Sequence, residues 1–483
     1  MGLYIGLDLG TSSLKGLLVD REGHILREAA ESYAVRYPQP GWSEQEPAEW
    51  EHAMERVLRT LANGHAEEVR GIAVGGQMHG LVALDAEGRV IRPCILWNDG
   101  RTEKQTAWLN ETIGRARLSA LTGNIAFAGF TLPKLLWLRE HEPENYARIA
   151  KVMLPKDYLV YRLTGKFSSD YSDASGTLLL DVEHRCWSAE MCRICGIGEE
   201  WLPPLYESFA PVGLVLPCFG LPRAVVCAGA GDNAAAAVGT GTVEDGTCSI
   251  SLGTSGTLFL PQDRFSVDPE NALHSFAHAN GRYHRMGCIL SAASCRRWWL
   301  EEVLGTDDYA ADEAGVAAVD TGDVVFLPYL MGERCPYNDT SLRGAFLGLS
   351  ADTTRAQMSR AVMEGVAFAL RDCLAAAQED GAALSAATIC GGGAKSPAWR
   401  QILSDVLELP VALPETEQGP SFGAAMLAMV GCGEYPTVEA AARQIVRKRL
   451  VAEPQSQRVA QYAERYARYR EFGQRLYSLT PIG

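Results

Sequence analysis

The chain has 483 residues, of which 47% are hydrophobic and 21% are charged, and its formal net charge at pH 7 is −15. This length exceeds what one hydrophobic core usually organises, so we expect two domains of about 240 residues each. The acidic balance argues against a nucleic-acid partner, which requires a basic surface, but it allows a small phosphate ligand in a local positive cradle.

The start of the chain and its cysteines predict a cytoplasmic protein without a membrane partner. The first residues lead straight into a strand pattern and lack the segments of a secretory signal. No stretch reaches the roughly 20 uninterrupted apolar residues of a membrane span. The 13 cysteines are scattered, and their one close group, Cys186, Cys192 and Cys195, lacks a second pair at metal-binding spacing. We therefore expect reduced thiols.

A short turn near the start of the chain occurs twice. Residues 9–12 read Leu-Gly-Thr-Ser and separate two runs of strand length, which predicts a β-hairpin. The same four residues recur at positions 252–255, again between two runs of strand length. Matching turns in the two halves of the chain predict a duplicated pair of domains.

The residue types of this turn suit a phosphate ligand. Glycine lets the backbone approach a ligand closely, while threonine and serine hydroxyls and consecutive N–H groups can hold phosphate oxygens. Only the first copy follows a carboxylate, Asp8, because Ser251 occupies the corresponding position in the second. The difference suggests a nucleotide held between two lobes with a metal on one side. The alternative is that each turn does no more than close its hairpin.

Further along the first half, a predicted strand at residues 69–74 runs into a glycine-bounded polar loop. This loop contains Gln77, Met78 and His79. Strand ends in α/β sheets are common ligand sites, so the amide, thioether and imidazole form a candidate site, although an incidental histidine in a glycine loop is the alternative. A second polar cluster, at residues 98–101, suits sugar hydroxyls or a solvated turn.

Residues 101–210 are mainly helical by pattern and look like an insertion on the first sheet. A short strand at residues 224–227 follows, and it leads to Asp232 and Asn233 ahead of an alanine-rich helix. The small residues on both sides leave open space around the Asp232 carboxylate, which favours a catalytic role. A helix N-cap is the alternative for this position.

The second half contains a further glycine-rich loop. Residues 388–390 form a predicted strand that runs into the glycines at 391–393 and Ala394, ahead of a helix that starts near Pro397. A flat ligand can lie against such a backbone, and the helix N-terminus favours anions, so the loop suits an adenosine nucleotide. The pair Glu333 and Arg334 fits either a hinge contact or a surface turn.

Together these motifs resemble those of the FGGY carbohydrate kinases. The matching stretches are residues 8–12, 129–141 with Lys134 and Trp137, 231–233, 252–256, 344–364 and 391–394. They occur in the family's order from about residue 3 to residue 432. The resemblance implies an α/β fold of two duplicated actin-like or RNase H-like lobes with a central ligand cleft. It implies a sugar-binding lobe at 1–243, carrying the helical insertion at about 101–210, and an ATP-binding lobe at 244–483.

The resemblance also implies roles for individual residues, with ATP and Mg²⁺ as cofactors. Asp232 is the implied general base, and Asp8 is the implied carboxylate that holds Mg²⁺, directly or through water. The implied sugar-binding residues are Gln77, Met78, His79, Asp232 and Asn233. The implied phosphate and adenosine positions are Thr11, Ser12, Lys15, Gly253, Thr254, Gly393 and Ala394. A homodimer is an open alternative to a monomer.

Four shorter stretches indicate the sugar. Residues 77–80, 95–101, 154–158 and 291–294 are similar to those of family members that phosphorylate D-xylulose. We therefore expect ATP-dependent formation of D-xylulose 5-phosphate in pentose catabolism, with ribulose, fuculose or gluconate as alternative substrates. Met78 and His79 argue against glycerol, for which an arginine and a glutamate are expected instead. An actin-like chaperone or filament ATPase is a remote alternative, because the chain ends soon after the second lobe.

Overall fold

The computed structural model describes residues 2–268, 270–320, 322–378, 383–416 and 418–479. Its two main layers are seven-stranded sheets, one from each half of the chain, with helices packed on both faces. Within the described ranges, no helix is both long enough and apolar enough to cross a membrane.

The first half forms the first sheet, its helices and several short strand pairs. Its strands are β1 (Leu3–Leu9), β2 (Ser13–Asp20), β3 (Ile25–Ser32), β4 (Glu44–Gln45), β5 (Val69–Gly76), β6 (Val82–Leu84), β7 (Cys94–Ile95), β8 (Lys151–Met153), β9 (Ser169–Asp170), β10 (Leu180–Asp181), β11 (Cys186–Trp187), β12 (Leu205–Tyr206), β13 (Pro211–Leu214), β14 (Val225–Cys227) and β15 (Ala230–Gly231). Its α-helices are α1 (Pro47–Ala62), α2 (Glu103–Trp108), α3 (Arg115–Thr122), α4 (Thr131–His141), α5 (Pro143–Ala147), α6 (Pro155–Thr164), α7 (Tyr171–Ala174), α8 (Ala189–Cys195) and α9 (Asp232–Gly239). A π-helix spans Leu109–Gly114, and 3₁₀ turns span Ser175–Thr177, Glu199–Trp201 and Pro217–Phe219.

The second half repeats this plan. Its strands are β16 (Thr247–Leu252), β17 (Gly256–Gln262), β18 (His274–Ala277), β19 (Tyr283–Ile289), β20 (Val325–Leu327), β21 (Ala345–Leu347), β22 (Ala386–Cys390), β23 (Val411–Pro414) and β24 (Lys448–Ala452). Its α-helices are α10 (Ala293–Arg297), α11 (Tyr309–Ala318), α12 (Arg355–Gln378), α13 (Pro397–Leu407), α14 (Gly419–Gly431), α15 (Val438–Ile445) and α16 (Ser456–Leu479). A π-helix spans Trp298–Val303, and a 3₁₀ turn spans Gly392–Lys395.

Sheet topology confirms the duplication that the repeated turn predicts. The first sheet has the order β13-β14-β5-β1-β2-β3, with β15 also paired to β5, and the second has the order β18-β19-β17-β16-β22-β23-β24. In the first sheet β1 pairs antiparallel with β2 and parallel with β5. In the second, β16 pairs antiparallel with β17 and parallel with β22. Both predicted hairpins therefore form, and each has a parallel neighbour whose end lies beside the turn.

Alternate residues of β1 pack in two different cores because side chains in a strand point to opposite faces in turn. Leu3, Ile5 and Leu7 contact the core beneath α1 and α6. Tyr4 and Gly6 face the other side, where α14 from the second half lies on the first sheet. Residue 8 has the same parity as these two, so Asp8 belongs to the face that α9 and α14 cover.

The contact of α14 with α9 and β1 is a backbone-to-backbone contact. A Cβ added to Gly6 would lie 1.8 Å from the carbonyl oxygen of Ser421, and one added to Gly423 would lie 1.8 Å from that of Ala235. Only glycine fits at such distances. A helix from beyond residue 244 therefore completes the core of the first sheet, although the predicted boundary places it in the other lobe.

The predicted helical insertion contains one helix that belongs to the core of the sheet. Tyr158, Leu159 and Leu163 of α6 pack in the same cluster as the buried side chains of α1, β1 and β5. Helices α3, α4 and α8 contribute to a separate core that includes Met78. Phe259, Phe276 and Met286 of the second sheet also enter this core, so the insertion joins the two halves.

We expect Gly423→Ala to lower the melting temperature. The added Cβ would meet the carbonyl oxygen of Ala235 at 1.8 Å and the backbone nitrogen of Gly239 at 2.8 Å. Backbone atoms cannot turn aside, so α9 and α14 must separate, and overpacking of this kind costs about 1–3 kcal/mol or more. Thermal unfolding followed by calorimetry measures the effect. Gly315→Ala in α11 is the matched control, since its nearest neighbour is Ala356 Cβ at 3.5 Å. An unchanged melting temperature for Gly423→Ala would contradict the packing argument.

Candidate active site

Two carboxylates lie on either side of the end of β5. Asp8 of β1 is paired with Gly75, and Gly231 of β15 is paired with Gly76. Asp232 is the first residue of α9 and directly follows Gly231. Neighbouring strands lie about 4.8 Å apart, so this pairing brings two aspartates from distant parts of the sequence to one edge of the sheet.

Both carboxyl groups titrate close to neutral pH. Burial raises the pKa of Asp8 to about 7, with a further contribution from the charge of Asp232, and the cross-strand neighbour Lys15 opposes the shift. Burial raises the pKa of Asp232 to about 6, although a hydrogen bond from the backbone N–H of Asn233 opposes it. A carboxyl with a pKa near the working pH suits proton transfer.

Asn233 fixes the orientation of the Asp232 carboxylate. Its backbone N–H donates to Asp232 Oδ1 at 2.7 Å, and its side-chain Nδ2 donates to the same oxygen at 3.0 Å. Asp232 does not cap its own helix, since the N-cap position is Gly231 and Asp232 is the first helical residue. Oδ2 is therefore the oxygen available to accept a proton from a ligand.

The imidazole of His79 is held as a neutral acceptor. Its backbone has φ of 69°, its Nδ1 lies 2.9 Å from the carbonyl oxygen of Gly176, and its ring stacks on Phe130 at 4.7 Å. A carbonyl only accepts, so Nδ1 carries the hydrogen and Nε2 presents a lone pair. Burial, assisted by the charge of Lys134, lowers the pKa of His79 to about 3. The ring is thus suited to accept a hydrogen bond from a hydroxyl.

Lys134 supports the backbone of His79. Its buried ammonium donates to the carbonyl oxygens of His79 at 2.8 Å and Gly129 at 2.5 Å, and Thr131 Oγ1 donates to the same His79 oxygen at 3.1 Å. Burial lowers the pKa of Lys134 to about 7. These donors hold the left-handed backbone of His79, a role that the residue pattern around Lys134 did not reveal.

Gln77 and Met78 contact the residues around the site from the protein interior. Gln77 is buried, its Nε2 donates to Gln45 Oε1 at 2.9 Å, and its Oε1 accepts from Thr11 Oγ1 at 3.2 Å. Its amide therefore ties the first turn to the protein interior. Met78 packs against the backbone that precedes Asp232, since a Cβ on Gly231 would lie 2.9 Å from Met78 Sδ.

A cleft of about 670 Å³ runs from Asp232 to the glycine loop of the second half. Its wall consists of Asp232, Asn233, Ala236, Thr240, Ser249, Ser251, Thr257, Phe259, Ile389, Cys390, Gly391, Gly392, Ala394, Lys395, Arg400, Leu413, Pro414, Thr416, Gly419 and Pro420. Its volume suits a nucleotide-sized ligand. Lys395 and Arg400 supply the local positive charge that such a ligand needs in an acidic protein. Arg400 Nε is buried and has no hydrogen-bond acceptor among the described residues.

The predicted phosphate-side residues lie in three places. Ala394 lines the cleft, while Gly393 is buried beneath it against Leu252. The carbonyl oxygens of Gly253 and Thr254 accept from Ala293 N and Ala292 N at 2.8 and 2.9 Å, which fixes the second turn. Thr11 Oγ1 accepts from Trp97 Nε1 at 3.0 Å, and the side chains of Ser12 and Lys15 are exposed at the first turn. As far as the chain is described, neither turn contributes to the wall of the cleft.

Glu333 and Arg334 form a contact between the halves. Glu333 is buried, and its Oε1 accepts from the backbone N–H groups of Leu290 at 2.9 Å and Arg334 at 2.8 Å. The guanidinium of Arg334 lies 5.1 Å from the ring centroid of Phe127, in the insertion of the first half. Its charge also contributes to the lowered pKa of His79. The buried Glu333 does not fit the surface turn that the sequence left open, and the hinge contact stays a prediction.

In the polar cluster at residues 98–101, the side chains of Asp99 and Arg101 are buried, whereas Asn98 is exposed. Asp99 Oδ2 accepts from Ser43 N at 2.6 Å and pairs with Arg101 at 2.7 Å. The buried Arg101 also pairs with Glu44 at 2.7 Å and stacks over Trp42. These side chains serve the fold, so a role for Asp99 and Arg101 in binding sugar hydroxyls is not supported.

Comparisons with known proteins agree with this arrangement. Residues 3–239 match the N-terminal domain of the FGGY family of carbohydrate kinases, and residues 248–432 match its C-terminal domain. The xylulose kinase of Escherichia coli strain K12 is 40% identical, over 99% of this chain and all of that protein. The crystal structure of a "xyloylose kinase" from Brucella ovis is 42% identical with a TM-score of 0.94, covering 99% of this chain and 100% of that one. The gluconate kinase of Lactobacillus acidophilus has the same fold, with 24% identity, a TM-score of 0.94 and 98% of each chain covered.

We expect the imidazole of His79 to remain neutral, with its hydrogen on Nδ1, from pH 8 down to about pH 5, because its pKa is about 3. Long-range ¹H–¹⁵N spectra of the histidine-labelled protein report the tautomer, and His79→Gln identifies the signal. Lys134→Met removes a neighbouring positive charge, so the His79 pKa should rise in that variant. Titration of His79 near its ordinary value of about 6.5 would refute the assignment.

Proposed function

The chain belongs to the FGGY family of carbohydrate kinases, and we propose that it transfers the γ-phosphoryl group of ATP to D-xylulose. The products are D-xylulose 5-phosphate and ADP. One observation carries this proposal: Asp232 lies at the end of a nucleotide-sized cleft, and Gly231 just before it packs on the loop that bears His79. The choice of sugar rests on Met78 and His79 and on the similarity to xylulose kinases, one of which is 40% identical over 99% of this chain.

The two halves of the chain bind different substrates in this proposal. We propose residues 1–243 as the sugar-binding half and residues 244–483 as the nucleotide-binding half, with α14 shared between them. The sugar is held by Met78, His79, Asp232 and Asn233, and Gln77 acts through the first turn. The nucleotide is held by the loop at 391–394, by Gly253 and Thr254, and by Thr11, Ser12 and Lys15 on the opposite side. A homodimer and a cytoplasmic location stay predictions from the sequence.

Asp232 acts as the general base in this proposal. The C5 hydroxyl oxygen of the sugar attacks the γ-phosphorus, its proton passes to Asp232 Oδ2, and the bond to the β,γ-bridging oxygen breaks to release ADP. Asn233 keeps Oδ1 occupied, which leaves Oδ2 for the proton. A positioned base accelerates such a step about 10²–10⁴-fold. In-line phosphoryl transfer depends otherwise on positioning and charge stabilisation.

The residues near Asp8 fit a Mg²⁺ ion bound together with ATP. Mg²⁺ prefers oxygen ligands and is usually held by one or two carboxylates together with substrate phosphates and water. Asp8 supplies a carboxylate, and no group of three or more His, Cys, Asp or Glu side chains in the described residues forms a site made by protein alone. When bound, Mg²⁺ would neutralise charge on the phosphates. Lys15, paired across the hairpin with Asp8, adds a second positive charge on this side.

We expect the rate to fall at low pH through the ionisation of Asp232. Only the carboxylate form can accept the proton, and its pKa is about 6, so kcat/KM should be constant at higher pH and fall as the pH drops through 6. Asp232→Asn cannot ionise and should lose about 10²–10⁴-fold in kcat while still binding sugar. Near-normal turnover by Asp232→Asn would rule out the base.

We expect D-xylulose to give the highest kcat/KM in a panel of ketoses, aldoses, polyols and gluconate. ADP release with a no-sugar control measures each rate. A gluconate kinase shares this fold at a TM-score of 0.94, so fold alone does not choose the sugar. Faster turnover of ribulose, fuculose or gluconate would overturn the choice of sugar, and ATP hydrolysis without any sugar-dependent rate would overturn the kinase assignment for this chain.

A further inference from the structure

A chain of buried polar side chains ends on the backbone N–H of Gly231, the residue just before Asp232. We propose that Ser172, held by Asp170, is a positioning residue that sets the place of the Asp232 carboxylate. The inference rests on the proposed role of Asp232 as general base. Neither Ser172 nor Asp170 stood out in the sequence, since each lies in a short polar stretch without periodicity.

The chain begins at a lysine in the protein interior. Lys156, Asp157, Asp170 and Asp173 are all at most 1% exposed. Lys156 Nζ contacts Asp157 and lies 2.8 Å from Asp170 Oδ1 and 3.8 Å from Asp173 Oδ2. A buried charge is tolerated only with a partner, so Lys156 and the carboxylates hold each other in place. Asp170 turns Oδ1 to the ammonium, and its other oxygen, Oδ2, is left to accept hydrogen bonds.

The hydrogen bond to Asp170 Oδ2 makes the Ser172 hydroxyl an acceptor for other groups. It accepts from the backbone N of Ser172 at 2.9 Å, from Ser172 Oγ at 2.5 Å and from Ser208 Oγ at 2.7 Å. A hydroxyl has one hydrogen and two lone pairs. The hydrogen of Ser172 is committed to Asp170, so its lone pairs face outward. One of them accepts from the backbone N–H of Gly231 at 3.1 Å.

Gly231 is held from three sides. It pairs with Gly76 of β5, it packs against Met78, and its N–H donates to Ser172. Lys156 also contacts this strand end, because a Cβ on Gly76 would lie 2.9 Å from Lys156 Cβ. The next residue is Asp232, so the Ser172 hydrogen bond fixes the backbone of the residue that directly precedes the base. A misplacement of about 1 Å at a reacting group can cost about 100-fold in rate.

Ser208 provides a matched control for Ser172. Both hydroxyls are buried, and both donate to the same oxygen of Asp170. Only Ser172 also accepts from Gly231. Ser172→Ala and Ser208→Ala therefore each remove one hydroxyl hydrogen bond to Asp170 Oδ2, and only Ser172→Ala also removes the acceptor of the Gly231 N–H.

We expect Ser172→Ala to lower kcat by about 10–100-fold while the KM values for sugar and ATP stay within about twofold. Ser208→Ala should leave both kcat and KM within about twofold of the unaltered enzyme. Melting temperature and ADP binding confirm that each variant is folded. Wild-type turnover by folded Ser172→Ala would overturn the proposal, and so would an equal loss in Ser208→Ala. Should Ser172→Ala not fold, Ser172→Cys keeps the size with a weaker acceptor, and full turnover by that variant would overturn the proposal.

A double variant separates positioning from a general structural defect. If Ser172 acts through Asp232, Ser172→Ala should cost nothing further in the Asp232→Asn background. A further loss of similar size in the double variant would overturn the proposal. The Asp232→Asn single variant is measured in parallel. Its near-normal turnover would defeat the proposed base, whereas an inactive Asp232→Asn with a fully active Ser172→Ala would defeat the positioning role alone.

Discussion

The close contact of α14 with α9 and β1 is the constraint on which the arrangement of the site depends. Gly6, Gly239 and Gly423 bring the backbones of these elements together without intervening side chains. Because α9 begins at Asp232, this contact fixes the position of the Asp232 carboxylate relative to Asp8 on β1. The helix that makes the contact comes from the second half of the chain, whereas both carboxylates come from the first. Packing between the halves therefore sets the geometry within one of them.

Desolvation gives each polar group of the site its chemical character. Burial raises the pKa values of Asp8 and Asp232 toward neutrality and lowers those of His79 and Lys134. One low-dielectric environment thus brings the pKa of the Asp232 carboxyl closer to neutral pH and keeps the His79 imidazole neutral, with Nε2 as a hydrogen-bond acceptor. The charged side chains of Lys395 and Arg400 line the far end of the cleft, where an anionic ligand would lie. The cleft therefore carries local positive charge although the net charge of the chain is −15.

Local pattern was enough to predict the two hairpins and to find the glycine-containing loops and the two aspartates near strand ends. Strand-length apolar runs and glycines report directly on backbone conformation, so Asp8, His79 and Asp232 could be found at strand ends. Partners across long sequence distances leave no such local signal. For that reason the sequence did not reveal the hydrogen bonds that join Gln77 to Gln45 and Thr11. The same limit hid the contact of Ser172 with Gly231 and the place of α14 on the first sheet, which depend on residues far apart in the chain.

The crossing of α14 onto the first sheet has a consequence for synthesis on the ribosome. Tyr4, Leu17 and Ala73 on one face of that sheet are covered by side chains of α14 and α15. These helices are made long after the strands they cover, at about 5–20 residues per second. The apolar face of the nascent first half is thus left bare for on the order of ten seconds or more. Although the two halves repeat one topology, the first half cannot bury this face until α14 and α15 have been made.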